Sequence, residues 1–274
     1  MRAYLVLPHA TPIIVVLTAT AILAVVTADG IPPTRDVSAL LLAMLGGQIA
    51  IGAINELVDA PIDAQVKPTK PIPSGLVTHR GARLLTIMSL IAMVIFSATL
   101  GWLSLVLCTL GTATGIAYSL WFKRTIFAWL PYLVALPLLP IWVVTAINSF
   151  DARLLLLYPL GLLAVVGVYL SQSVPDIAAD RASGTNNLTS RLGESTSLGL
   201  SLVSQLISAL IGVLAATQWA DFSPMVVAAT IVTLLSLVVL ALYRWRPRTG
   251  VLACFPCVAA ATVVLGIAWI LGLR

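Results

Sequence analysis

The chain has 274 residues, of which 60% are hydrophobic and 9% charged, against roughly 25% charged in a soluble domain. Together with a mean hydropathy of +1.07, this excludes a water-soluble globular enzyme and describes a protein dissolved in lipid. The net charge of +5 does not point to nucleic acid, because the basic residues sit in short segments between apolar runs, where membrane topology accounts for them.

A membrane-spanning helix needs about 20 apolar residues. In chain order the apolar segments predict spans at 4–27, 37–57, 84–100, 102–121, 129–147, 153–172, 196–217, 223–243 and 251–273, nine in all. The first follows Arg2 as a signal peptide would, but its run is longer than a cleavable h-region, so a retained helix is expected. Between the third and fourth spans only Gly101 and Trp102 mark a turn. Cys254 and Cys257 have CxxC spacing at the start of the last span, with no basic partner nearby to lower a thiol pKa. With Cys108 they make three cysteines, an odd count that gives no disulfide framework.

The loop charges support this count. Arg2 and the loops after spans 2, 4, 6 and 8 hold Lys67, Lys70, Arg80, Arg83, Lys123, Arg124, Arg181, Arg191, Arg244, Arg246 and Arg248, leaving only Arg35, Arg153 and Arg274 on the other side. That bias places the N-terminus and these four loops in the cytoplasm. Asp29, Asp36, Asp151 and Asp221 stand singly at the opposite turns as ordinary loop or cap residues. The glycosylation sequon Asn187-Leu188-Thr189 falls in a cytoplasmic loop and is expected to be unused. His9 and His79 are isolated; helix packing is expected for the first and a loop surface for the second.

The remaining acids form two clusters at the cytoplasmic face. One is Asn55-x3-Asp59-x3-Asp63, with Glu56 directly after Asn55; the other is Asp176-x3-Asp180, followed by Arg181 and, later in the same loop, Glu194. Residues four apart share a helix face, and carboxylates so placed repel each other unless a cation lies between them. Hard oxygen ligands suit Mg²⁺, which usually joins one or two carboxylates to substrate phosphates. Two facing pairs would clamp a diphosphate through Mg²⁺. Lys67, Lys70, Lys123, Arg124 and Arg181, on the same side, are suited to stabilise the charge of a departing diphosphate. Pro61 separates Asp59 from Asp63, so the first helix is expected to kink or end there. Pro175 is placed to open a helix carrying Asp176 and Asp180. Ionisable residues at membrane depth point to function by default.

At these residues the sequence resembles the UbiA superfamily of intramembrane prenyltransferases. "NELVDAPID" is similar to that family's first motif, NxxxDxxxD, and "KPTKPIPSG" to the tail that follows it. "SVPDIAADRASGTNNLTSRLG" is similar to the second motif, and "YSLWFKRT" to the segment after the fourth span. Gln172-Ser173 stands where members often carry Lys-Asp, and Ala178 where they often carry Glu. The resemblance spans nearly the whole chain. It implies one all-α, polytopic membrane domain over 1–274, with about nine transmembrane helices around a central cavity open to lipid and capped by cytoplasmic loops. It also implies Mg²⁺-dependent transfer of an isoprenyl group from an allylic prenyl diphosphate to an aromatic, quinone-precursor or other lipid-soluble acceptor. By that resemblance Asp59, Asp63, Asp176 and Asp180 hold the metal and diphosphate, and Asn55 supports the same cluster. Lys67 or Lys70, Lys123, Arg124 and Arg181 contact the diphosphate, and Tyr118 lies near the reacting carbon. The alternative is a terpene cyclase of the same superfamily, which uses the diphosphate site without an acceptor. An ion transporter is disfavoured because its carboxylates belong near the bilayer midplane, whereas these cluster at one face.

Overall fold

The computed structural model describes residues 7, 10–28, 30–147, 150–182 and 184–273. Arg2, His9, Asp29 and Arg274, and with them most of the start of the first predicted span, lie outside the described residues. Within them every regular element is helical. The long helices are α1 (Ala10–Thr27), α2 (Thr34–Val66), α3 (His79–Ala98), α4 (Trp102–Ala117) and α5 (Leu130–Ile147), followed by α6 (Leu157–Ser173). Two short helices come next, α7 (Ile177–Ala182) and α8 (Leu188–Leu192), then α9 (Glu194–Trp219), α10 (Ser223–Trp245) and α11 (Pro247–Gly272). A π-helical turn, Tyr118–Phe122, continues α4, and 3₁₀ turns precede and follow α6 at Ala152–Leu156 and Val174–Asp176. Among the described residues, eight helical stretches are long and apolar enough to cross a membrane, and a shorter apolar helix runs over Pro12–Thr27.

Within the described residues each predicted span coincides in the main with one of these helices and the turns that continue it. The turn expected near Gly101 is present: Gly101 adopts φ +105, a conformation open to glycine and strained for other residues. The largest departure is α2. Its predicted span closes at residue 57, yet the helix runs on through Pro61 to Val66. Proline removes one backbone donor, but Pro61 is solvent-exposed and close to the helix end, so one lost bond does not stop the helix. It stops instead before Pro68, which disfavours helical backbone at Lys67. Thus Asn55, Glu56, Asp59 and Asp63 are residues of a helix, not of a loop.

The chain divides into two compact units, residues 1–123 with 138–150, and 124–137 with 151–274. In the first, α2 packs along α3 and also touches α1 and α4. The α2–α3 approach is backbone to backbone: a Cβ on Gly46 would meet the Ser89 carbonyl at 2.6 Å and the Met93 nitrogen at 2.8 Å. Small residues at such contacts are how helices associate in lipid, where apolar burial gives little net drive. Ser104 Oγ accepts a bond from the buried Trp142 indole at 2.8 Å, a packing role for that aromatic. A satellite core of Leu7, Ala53, Ala60, Ile72, Val77 and Ala82 ties the segment after α2 back onto the helices.

In the second unit α6, α9, α10 and α11 pack together around Val168, Leu198, Leu202, Val239, Cys254 and Val258. Buried side-chain bonds cross this bundle. Ser201 Oγ donates to the Gly167 carbonyl at 2.7 Å. Gln205 Nε2 donates to the Ala164 carbonyl at 2.9 Å and to Thr262 Oγ1 at 3.0 Å. In lipid such bonds contribute about 0.6 kcal/mol each. Cys108, Cys254 and Cys257 are free thiols, in keeping with a packing role.

Candidate active site

In the first unit the polar end of α2 presents two stripes. Residues at i and i+4 lie on one face, and so do residues at i and i+7. Asn55 and Asp59 share the first stripe; Glu56 and Asp63 share the second. Each stripe closes on its own lysine. Lys123 Nζ donates to Asn55 Oδ1 at 2.9 Å and to Asp59 Oδ2 at 2.5 Å. Lys70 Nζ donates to Glu56 Oε1 at 2.6 Å and to Asp63 Oδ2 at 2.7 Å. Asp59 and Asp63, although four residues apart on one helix, thus each hold a different lysine.

Local structure explains how each lysine arrives. Lys123 follows the π turn, in which its own backbone N–H reaches back to the Tyr118 carbonyl at 2.8 Å. Such single π turns are frequent at functional sites. Tyr118, half-buried, opens that turn. Lys70 stands in a cross-braced loop. Its N–H bonds the Lys67 carbonyl at 3.1 Å, and its carbonyl accepts from Ser74 N at 2.9 Å and Ser74 Oγ at 2.7 Å. Val77 N bonds the Pro71 carbonyl at 2.9 Å. Pro68, Pro71 and Pro73 restrict the loop further, and buried Ile72 and Val77 anchor it. Lys67, at the end of α2, is exposed.

Glu56 is only 2% exposed. A carboxylate that deep is tolerated when paired and hydrogen-bonded, and Lys70 meets that requirement. Burial by itself lowers the pKa of Lys70, but the hydrogen bonds and charges of Asp63 and Glu56 outweigh it, so the ammonium titrates above its ordinary value. The sequence places Glu56 in the first acidic cluster but assigns it no role. Its seven-residue spacing from Asp63 was the available signal.

In the second unit, Asp176 ends the 3₁₀ turn and is exposed, while Asp180 is half-buried on α7. Pro175 is the second residue of that 3₁₀ turn, not the first of an α-helix, and the α-helix begins only at Ile177. Asp180 Oδ2 accepts from Asn187 Nδ2 at 2.6 Å. Asn187 is in turn the cap of α8, its Oδ1 accepting from Ser190 N at 2.8 Å and from Thr189 Oγ1 at 2.9 Å. The sequon asparagine is therefore buried and engaged, a structural partner of Asp180 that the sequence reading missed. Arg181 Nε donates to the Ser190 carbonyl at 2.9 Å, so the arginine is held over the same short helix. Gln172, where a lysine was expected by resemblance, accepts the Tyr132 hydroxyl at 3.0 Å, and Tyr132 stacks edge-on against Tyr169 with centroids 5.6 Å apart. Arg124 is exposed.

Among the described residues no group of three or more His, Cys, Asp and Glu is gathered as a complete metal cage. The donors present are nonetheless hard oxygens already converging on positive charge. Asn55 with Asp59, and Glu56 with Asp63, each hold an ammonium. That set fits a small divalent ion that keeps its waters and takes phosphate oxygens as further ligands, and it does not fit an all-protein site.

The model of the UbiA prenyltransferase family matches residues 15–255. Digeranylgeranylglyceryl phosphate synthase of Natronomonas pharaonis is 28% identical over 174 residues, which is 62% of each chain. The chain thus aligns with less than two thirds of that relative's length. The synthase of the same name from Methanopyrus kandleri is 30% identical over 209 residues, 74% of each chain. The solved structure of a UbiA homolog from Archaeoglobus fulgidus bound to DMAPP and Mg²⁺ shares this fold with a TM-score of 0.75. It is 18% identical, and the match covers 97% of this chain and 98% of that one.

Proposed function

The chain belongs to the UbiA prenyltransferase family, and on that premise we propose that it transfers an isoprenyl group from an allylic prenyl diphosphate to a lipid-soluble acceptor within the membrane. The observation that carries this reading is the pair of lysines seated on the α2 oxygens: Lys123 on Asn55 and Asp59, Lys70 on Glu56 and Asp63. Cation-holding oxygens and anion-binding ammoniums at one helix end are what a metal diphosphate requires.

Mg²⁺, when bound, neutralises the diphosphate and draws off its developing charge. Asp59, Asp63, Asp176 and Asp180 are the carboxylates assigned to hold it, with Asn55 in support. Lys67, Lys70, Lys123, Arg124 and Arg181 are assigned to the diphosphate oxygens, and Tyr118 to the reacting carbon. The allylic C–O bond breaks with its electron pair leaving on the diphosphate. The allylic carbon then bonds to a nucleophilic atom of the acceptor, which gives up a proton. Exclusion of water keeps the cation from being hydrolysed, and the apolar helices supply that environment. The charge bias of the loops supports a cytoplasmic site.

The two relatives are named for a glyceryl phosphate carrying two geranylgeranyl groups. A prenylated glyceryl phosphate is accordingly the first acceptor to try here, beside aromatic acids. The test follows diphosphate release by purified protein with Mg²⁺ and a panel of prenyl diphosphates, with and without acceptors. Acceptor-dependent release that is lost in Asp59→Ala supports the proposal. Release without any acceptor points to cyclisation instead. Wild type indistinguishable from Asp59→Ala under every condition refutes both.

A further inference from the structure

The two lysines of the α2 cluster are paired unequally. Lys123 has one charged partner, Asp59, and one neutral partner, the Asn55 amide oxygen. Lys70 has two charged partners, Glu56 and Asp63, at nearly equal distances. Glu56–Lys70–Asp63 therefore carries one negative charge in excess, and Asp59–Lys123 carries none.

The three members of the triad also differ in depth. The side chains of Glu56, Asp63 and Lys70 are 2%, 8% and 21% exposed. Glu56 is the deepest, and leaving it without a cation is the costliest change in the cluster. Asp63 lies nearer the surface, at the last turn of α2. Lys70 is on the cross-braced, proline-rich loop and has little freedom to follow a ligand.

Resting on the prenyl-diphosphate reading above, we propose that Glu56 is a positioning residue: a permanent counter-ion for Lys70 that leaves Asp63 free to take a divalent cation. When Asp63 turns to the metal, Lys70 stays neutralised by Glu56 and keeps its place as a fixed cation for the diphosphate. Without the Glu56 charge, Asp63 becomes the only full counter-ion of Lys70 in the triad, and a metal must displace the ammonium before it can bind. Lys123 has no such reserve. Once Asp59 is engaged it retains only an amide dipole, and its ammonium is released toward an incoming anion.

The probe is Mn²⁺ alone, its binding to the full-length solubilised chain read by electron paramagnetic resonance. Glu56→Gln is expected to weaken Mn²⁺ binding about 10- to 100-fold, the range found when groups behind metal ligands are removed. Adding Lys70→Met to Glu56→Gln is expected to restore affinity to within about threefold of wild type, because Asp63 is then unencumbered. General damage to the helix would not be relieved by removing a second side chain. Unchanged Mn²⁺ affinity in Glu56→Gln, or a loss that Lys70→Met does not relieve, overturns the proposal. Should the single variant fail to fold, the uncharged double variant carries the test: near-wild-type Mn²⁺ affinity supports the proposal, and a deficit beyond about tenfold refutes it. Asp63→Asn separates this proposal from its premise. If Asp63→Asn lowers Mn²⁺ affinity and Glu56→Gln does not, only the role of Glu56 falls; if neither does, the metal reading of α2 falls with it.

Discussion

Gly46→Ala tests how firmly the α2 end is held. The new Cβ would stand 2.6 Å from the Ser89 carbonyl oxygen and 2.8 Å from the Met93 nitrogen. An ordinary carbon–oxygen contact is about 3.3 Å, so α2 and α3 must part by about 0.7 Å. Both obstructing atoms are backbone, and no rotamer change relieves them. Such overpacking costs about 1–3 kcal/mol, and alanine's helix preference over glycine returns about 0.5–1 kcal/mol. A net loss of roughly 1–2 kcal/mol is expected, five- to thirtyfold in the folded-to-unfolded ratio. Gly115→Ala is the internal control, since its new Cβ would meet Ile51 Cδ1 and, at 2.9 Å, Cγ1, side-chain rather than backbone atoms, and turning that side chain costs about 0.5–1.5 kcal/mol. Unfolding of the solubilised protein titrated with denaturing detergent compares the two. Turnover should separate them as well. Asn55 lies nine residues beyond Gly46 on the same helix and must meet Lys123 at 2.9 Å, and a misplacement approaching 1 Å costs about a hundredfold in rate. If Gly46→Ala is as stable and active as wild type, or Gly115→Ala is the worse of the two, the reasoning from backbone contact is wrong.

Two further changes probe the charged groups. Lys70 titrates above 10.5 in the folded chain, so its ion pairs contribute fully below that pH and are lost as pH rises through the folded-state value. It adds no slope between about pH 6 and 9, and above pH 10.5 wild type should lose thermal stability more steeply than Lys70→Met. Asn187→Ala removes a helix cap worth about 1 kcal/mol together with a bond to the Asp180 carboxylate. Asn187→Asp keeps the cap and sets a second carboxylate against Asp180, so prenyl transfer should fall in both variants while α8 stability, followed by hydrogen exchange, falls only in the first.

The spans were legible because apolar length is a strong signal and lipid demands helices. Where α2 ends was not. Asn55, Glu56, Asp59 and Asp63 read as the exit from the membrane, yet each is a helical residue whose polarity is answered by a lysine. Those lysines come from other parts of the chain, and the 68-residue separation of Lys123 from Asn55 has no trace in local pattern. Asp59 and Asp63 were visible as a pair through their spacing. That they would turn to different lysines depended on tertiary placement. Asn187 was hidden for another reason: the sequence shows it only as an unused sequon in a cytoplasmic loop, and the fold turns its amide onto Asp180.

The π turn at Tyr118–Phe122 has one more consequence. A π turn is an α-helix carrying a single surplus residue, and each residue of an α-helix advances the chain by about 100°. Removing one residue from YSLWF would relax the turn to α geometry and swing Lys123 by roughly that angle, away from the Asn55–Asp59 stripe. The position of this lysine is thus stored as a count rather than as an identity. Many side chains can serve within the turn, but the number of residues between Gly115 and Lys123 is fixed, and a lineage could gain or lose this arm of the site by one codon.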